Sequence, residues 1–167
     1  MPIEIRPLRS YETAAARTLI LDVASRLFRP GDPVGFIRQY DHTLEDVDTY
    51  TRDYSPPDGL LLAALDDGRL IGTGAIRRFD DETAELRRMW LLEPYQGRGI
   101  GYRLWLVLSD FARHAGYRRI RLKTDNENVR ALAFYDRLGF YRIDPFDGLP
   151  HDIYMERVLN DNDEDEN

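Results

Sequence analysis

Apolar residues between positions 13 and 28 recur at helical spacing, with Ala15, Leu19, Val23 and Leu27 on one face and Ser10 where a cap belongs. This pattern predicts a helix running to about Phe28. Pro30, Gly31 and Pro33 then interrupt the periodicity and predict an irregular connection. A shorter helix around Leu44 to Tyr50 follows, stopped by Pro56-Pro57. From Leu60 the period shortens. LLLAAL (60–65) and RLIGTGAIR (69–77) read as strands joined at Asp67-Gly68, a strong hairpin signal. A turn at Asp80-Asp81 leads into a third strand, AELRRMWLL (84–92).

A helix from Gly99 to Ala115 comes next, with Gly116 placed just past its C-terminus. RRIRLKT (118–124) predicts a strand, parallel to 84–92 if the connection is a right-handed β-α-β crossover. Asn126 or Asn128 starts a further helix that Gly139 ends, and strands near 140–143 and 152–159 close the pattern. Together these elements predict an α+β fold: a mixed, mostly antiparallel sheet with a central β-α-β unit flanked by helices. No repeat or linker interrupts the chain before about residue 160, so one domain over 1–159 is expected.

Charge changes this picture only at the end. The net charge is -7, but Asp161, Asp163, Glu164, Asp165 and Glu166 crowd the last residues and leave the body close to neutral. A segment that polar has nothing to bury, so 160–167 reads as a solvated tail. A body that is not basic argues against nucleic-acid binding. The absence of cysteine excludes a thiol nucleophile, a disulfide framework and thiolate zinc sites. His42, His114 and His151 are too far apart for a local metal motif, so no metal is expected. No apolar run approaches the ~20 residues of a membrane span. The N-terminus has no apolar stretch of signal-peptide type, and a cytoplasmic location is the expectation.

The stretch YQGRGIGYRL (95–104) places Gly97, Gly99 and Gly101 at alternate positions between a strand and a helix. Bare N–H groups at a helix N-terminus form an anion site through unpaired donors and the positive end of the dipole. A tight turn that binds nothing would need only one glycine. A P-loop requires a Gly-Lys-Ser/Thr sequence, and no lysine stands here. A dinucleotide fingerprint finds an acid at Asp125, but Tyr102 or Leu104 occupies its third glycine position, and hairpins precede the loop.

Gln96-Gly97-Arg98-Gly99-Ile100-Gly101 resembles the Q/R-x-x-G-x-G/A signature of the GCN5-related N-acetyltransferases (GNAT). The likeness extends through the preceding strand and Glu93-Pro94, and again through NENVRALAFYDRLGF (126–140). It covers roughly residues 60 to 158 in order and spacing. The resemblance implies the GNAT fold and acetyl-CoA as cosubstrate, with its pyrophosphate on the loop Gln96 to Gly101. Asn128, Ala131 and Tyr135 lie on one helical stripe, and two turns separate the first from the last, about 10.5 Å. Asn128 could hold a pantetheine amide, small Ala131 would let the arm pass, and Tyr135 would meet its sulfur end. The bland readings are a helix cap for Asn128 and a core side chain for Tyr135.

Passing an acyl group from a thioester to an amine needs a neutral amine, a donor for the oxyanion and a proton for the leaving thiolate. A phenol with an ordinary pKa of about 10 stays protonated at neutral pH, so Tyr135 is the candidate proton donor. By the resemblance, the oxyanion donor is a backbone N–H on the strand at Met89, Trp90 or Leu91. Glu85 lies eleven residues before Gln96, where histone-acetylating members of the superfamily carry a general base. Strand alternation places Glu85 on the face of Arg87, Met89 and Leu91. Its other reading is a surface carboxylate paired with an arginine, with water as the base.

Residues 28 to 58, least similar to the family, should carry acceptor information. Their acids and aromatics could receive a cationic amine, or simply form a solvated helix. His151 could shuttle a proton, although a lone loop histidine is usually surface. The sequence thus points to an N-acetyltransferase for a small-molecule or protein amine, often dimeric in the superfamily. A non-catalytic acyl-CoA-binding sensor or scaffold is the second reading.

Overall fold

Residues 60 to 65 are apolar without alternation, the pattern of a strand covered on both faces. In the computed structural model, which describes residues 2–147 and 152–160, that strand lies inside an open sheet. The strands are β1 (Ile3–Pro7), β2 (Leu60–Asp66), β3 (Arg69–Arg78), β4 (Thr83–Leu91), β5 (Arg119–Asp125), β6 (Tyr141–Ile143) and β7 (Asp152–Val158). Their order is β1-β2-β3-β4-β5-β7-β6. Every neighbouring pair is antiparallel except β4 and β5. The predicted α+β architecture is the one found, including the central β-α-β unit.

Helix α1 (Thr13–Phe28), α2 (Pro33–Tyr40) and the single turns α3 (Glu45–Asp48) and α4 (Tyr50–Asp53) precede β2. Helix α5 (Ile100–His114) joins β4 to β5, and α6 (Val129–Arg137) follows β5. Leu61, Ala63 and Leu65 pack with Leu19, Ile20 and Val47, while Leu60, Leu62 and Ala64 pack with Leu104, Trp105 and Leu108. The first helices thus cover one face of the sheet and α5 the other, joined there by Tyr135 of α6.

Four details differ from the sequence reading. Strand β1 was not predicted; Ile3 and Ile5 alternate, but five residues give too short a signal. Segment 30–40 is not irregular throughout, because Asp32 caps α2 by accepting from the Gly35 N–H at 3.0 Å and Pro33 fills the first turn. Proline and an acid before it start a helix here. The predicted Leu44–Tyr50 helix is a 3-10 turn (Asp41–Leu44) and then α3 and α4. Ser10 opens a 3-10 turn and caps nothing; the Glu12 carboxylate takes the Arg9 N–H at 2.8 Å.

Helix α1 keeps Leu19 and Val23 of the expected stripe against the core, but not the two ends of that stripe. Ala16, Ile20 and Ala24 are buried, whereas Ala15 is exposed and Leu27 is 42% exposed. All of the expected 160–167 tail except Asn160, together with His151, lies outside the described residues.

Candidate active site

β4 and β5 pair only from Thr83–Glu85 to Arg119–Arg121, although both strands continue. Beyond that rung the sheet is open between them. A bulge in β4 accompanies the opening: Thr73 faces Trp90, yet Ala75 faces Arg87. Arg88 is the extra residue, held at φ 55. The bulge reverses the alternation. Leu86, Met89 and Leu91 join the core on the α5 side, and Trp90 packs on the α1 side. Glu85 and Arg87 therefore do not share a face with Met89 and Leu91, which corrects the alternation read from the sequence.

Edge donors result from the opening. The Leu92 N–H donates to the Ile71 carbonyl of β3 at 3.0 Å. In an antiparallel pair the adjacent residue points the other way, so the Leu91 N–H faces the gap. The Leu91 carbonyl points there too, accepting from Gln96 Nε2 at 2.9 Å.

A cavity of about 530 Å³ fills this side of the gap. Gln96, Gly97, Gly99 and Gly101 line one end, and Asn128, Ala131 and Tyr135 line it from α6, together with Met89, Trp90 and Leu91. The motif residues of two distant segments are thus brought together. Gly99 caps α5 at φ 80, and no described side chain caps that end by hydrogen bond. The first-turn N–H groups therefore lack intrahelical partners. A Cβ on Gly99 would meet no atom within 4 Å, so the space before this helix end is open. A Cβ on Gly101 would rest against the Phe134 ring at 3.4 Å, an ordinary contact.

Arg98 and Ile100 do not line this cavity. Arg98 stacks over Tyr95 at 5.4 Å, and the Ile100 side chain is buried in the core, leaving its backbone N–H for the loop. Arg130 was missed. Its guanidinium donates to Gln96 Oε1 at 2.7 Å and lies 3.6 Å from where a Gly97 Cβ would stand. No spacing rule singles out this arginine, because only the packing of α6 brings it over the loop. Val23 and Leu27 of α1 also line the cavity, Val23 while packing against the core.

Asn128 is a helix cap, its Oδ1 accepting from the Ala131 N–H at 3.3 Å, and it also lines the cavity. Tyr135 is 7% exposed, between Phe134 and Phe140. Its hydroxyl makes no hydrogen bond among the described residues, and burial pushes the phenol well above its ordinary value. It stays protonated across the neutral range.

Glu85 lies elsewhere. It lines a second cavity of about 450 Å³ with Asp53, Arg77, Arg78, Phe79, Arg87, Lys123, Phe146 and Asp147. Its buried carboxylate accepts from Arg77 at 2.8 and 2.9 Å and lies 3.5 Å from Arg87. The arginine pairing foreseen as its other reading is present, but in a buried setting. Among residues 28–58, Asp46 and Tyr54 form a buried network with Arg87 and Arg88. Burial raises the Tyr54 phenol to about 12. No group of metal-ligating side chains occurs among the described residues.

Residues 27–140 match the model of the Acetyltransferase (GNAT) family. The chain belongs to that family. Curated GNAT relatives include the uncharacterized N-acetyltransferase YjgM of Escherichia coli, 29% identical over 59% of this chain and 61% of its own length. Mycothiol acetyltransferase of Actinosynnema mirum is 29% identical over 81% of the chain and 44% of its own length. The chain therefore spans about half the length of the curated relatives it matches. Among solved structures, the PaiA N-acetyltransferase of Thermoplasma acidophilum in complex with coenzyme A superposes with a TM-score of 0.81 at 23% identity. That match covers 95% of this chain and 100% of the other, and carries the GNAT fold.

Proposed function

We propose that the protein transfers an acetyl group from acetyl-CoA to a primary amine, by direct attack within a ternary complex. The observation that carries this reading is the β4–β5 gap, where one cavity runs from a helix N-terminus that no described side chain caps to a buried tyrosine. Acetyl-CoA supplies the activated acyl group and a thiolate leaving group. The N–H groups opening α5, with Arg130 beside them, suit its pyrophosphate. Asn128 and the free edge of β4 suit the amide-bearing arm, and the Leu91 N–H is placed to stabilise an oxyanion.

Tyr135 delivers the proton that the departing thiolate requires, since burial keeps its phenol protonated. The chain has no cysteine to take the acyl group covalently, which favours direct attack. We assign Glu85 to fixing Arg77 and Arg87, and the amine loses its proton to water. Thiol release from acetyl-CoA, measured against a panel of amines, tests the whole reading. Tight acetyl-CoA binding with transfer to no amine would instead identify a non-catalytic binding module.

A further inference from the structure

The gap has a second mouth. Ile120 and Leu122 of β5 point into the core beneath α5, so Arg121 and Lys123 project from the opposite face. Glu85 and Arg87 of β4 also point there. The last paired rung is Glu85 with Arg121, and Arg87 and Lys123 stand two residues beyond it on either strand. The second cavity therefore lies on the α1 side, beside the paired end of the opening that the first cavity passes through, since Val23 and Trp90 of the first cavity stand on that side too. With the acyl donor entering from the α5 side, an amine arriving here meets it across the gap.

Resting on the acetyltransferase reading, we propose that this second cavity receives the acceptor, and that the acceptor amine also carries an anionic oxygen group, a carboxylate or a phosphate. The cavity wall is charged, with only Phe79 and Phe146 apolar. Its carboxylates are already engaged. Glu85 is paired with Arg77 at 2.8 Å, Asp147 with Lys123 at 2.6 Å and Asp53 with Arg52 at 3.5 Å. Its cations are anchored partly from outside: Arg78 by Asp81, and Arg87 by Asp46 and the Tyr54 hydroxyl.

Each guanidinium carries five N–H donors in a fork matched to carboxylate and phosphate. Three arginines and a lysine therefore offer more donors than Glu85, Asp147, Asp46, Asp81 and the Tyr54 hydroxyl consume. Lys123 is the only lysine among 23 basic residues, which makes it individually addressable. A polyamine would find the cavity's carboxylates already paired and four cationic side chains beside them, and an uncharged apolar amine would leave the spare donors without an acceptor.

The test compares matched amines with acetyl-CoA saturating: β-alanine, 2-aminoethylphosphonate, β-alaninamide, propylamine and a linear diamine. Kinetics is run beside calorimetric binding of each amine to the CoA-bound protein. The expected result is that at least one anionic amine exceeds its uncharged counterparts by about tenfold or more in kcat/KM, the scale of one charge-assisted contact. Lys123→Glu and, separately, Arg78→Ser should erase that preference through KM, leaving the KM for acetyl-CoA unchanged. Protection of Lys123 from a lysine-directed reagent by the preferred amine, mapped by mass spectrometry, locates the site without reference to turnover. Preference for the uncharged amines or the diamine would overturn the proposal, as would an anionic preference that both variants retain. If nothing is acetylated, the function reading fails, and binding with Lys123 protection still decides this one: no anionic preference there refutes it.

Discussion

Arg88 and Asp46, 42 residues apart, form a two-point ion pair, with Nε to Oδ2 at 3.0 Å and Nη2 to Oδ1 at 2.6 Å. Arg88 is the bulged residue of β4, in a left-handed conformation at φ 55. Its Nη2 also reaches the Thr43 carbonyl at 3.0 Å, and its own carbonyl accepts from Thr73 Oγ1 at 2.7 Å. The segment before β2 thus holds the bulge that turns Met89 and Leu91 toward the first cavity. Arg88→Ala and Arg88→Gly both remove the pair and should both melt earlier than wild type. Only alanine pays for the positive φ, ~1 kcal/mol or more. Acetyl-CoA affinity by calorimetry should therefore be about fivefold weaker in the alanine variant than in the glycine variant. Equal affinities would show that the bulge does not depend on this backbone conformation.

Gly99→Val tests the anion loop. Valine at φ 80 is strained, and its side chain would enter the open space before α5. Acetyl-CoA affinity should fall by at least about tenfold from the strain alone. Circular dichroism should keep its native form. A variant that binds as wild type does would separate the loop from the pyrophosphate.

Tyr135→Phe removes a hydroxyl that has no partner among the described residues, so packing and acetyl-CoA affinity should change little. Loss of the proton donor should slow transfer by roughly 10² to 10⁴ in kcat and kcat/KM together. Because burial raises the phenol above its ordinary value of 10.0, the wild-type rate should not fall through Tyr135 ionisation below that pH. Single-turnover rates settle the role if product release limits; a variant as fast as wild type there would end it.

Glu85→Gln separates the two readings of that carboxylate. Loss of the anion between Arg77 and Arg87 should lower stability by about 1–2 kcal/mol, given that Arg77 is partly exposed. The acid limb of the rate profile should persist. A glutamine variant that loses that limb while melting normally would restore Glu85 as the base.

Asp46 sets an acid limit on stability. Burial raises its pKa, but hydrogen bonds from Arg88 and Tyr54 and the charges of Arg88 and Arg87 outweigh that, so the value lies below 3.8 in the folded state. A depressed folded pKa gives stability that is present above the unfolded value and lost as pH falls through the folded one. Denaturant titrations should therefore show stability falling below about pH 4, and Asp46→Asn should flatten that part of the curve. An unchanged slope in the variant would assign the acid limit to other carboxylates, such as Glu12 beside Arg6.

Local signals determined a good deal. Asp67-Gly68 takes positive φ at both residues, as a two-residue hairpin turn requires. Gly116 and Gly139 end their helices in the left-handed region, and the Tyr117 and Phe140 N–H groups bond back to Ala112 and Tyr135 at 3.0 Å. Such features involve residues a few positions apart, so sequence carries them. The glycine loop and the Asn128–Tyr135 stripe were legible for the same reason.

Tertiary structure alone decided which face each β4 residue serves. Strand alternation has a period of two, and one extra residue at Arg88 inverts everything after it. The family resemblance implies a bulge on this strand, but nothing near Arg88 in the chain fixes its position, since its anchors, Asp46, Thr43 and Thr73, come from distant segments. Arg130 reaches Gln96 only because α6 packs beside α5, and Leu27 is exposed at a cavity although its stripe-mates Leu19 and Val23 pack on the core. Contacts between remote segments are fixed by packing, which local periodicity does not encode.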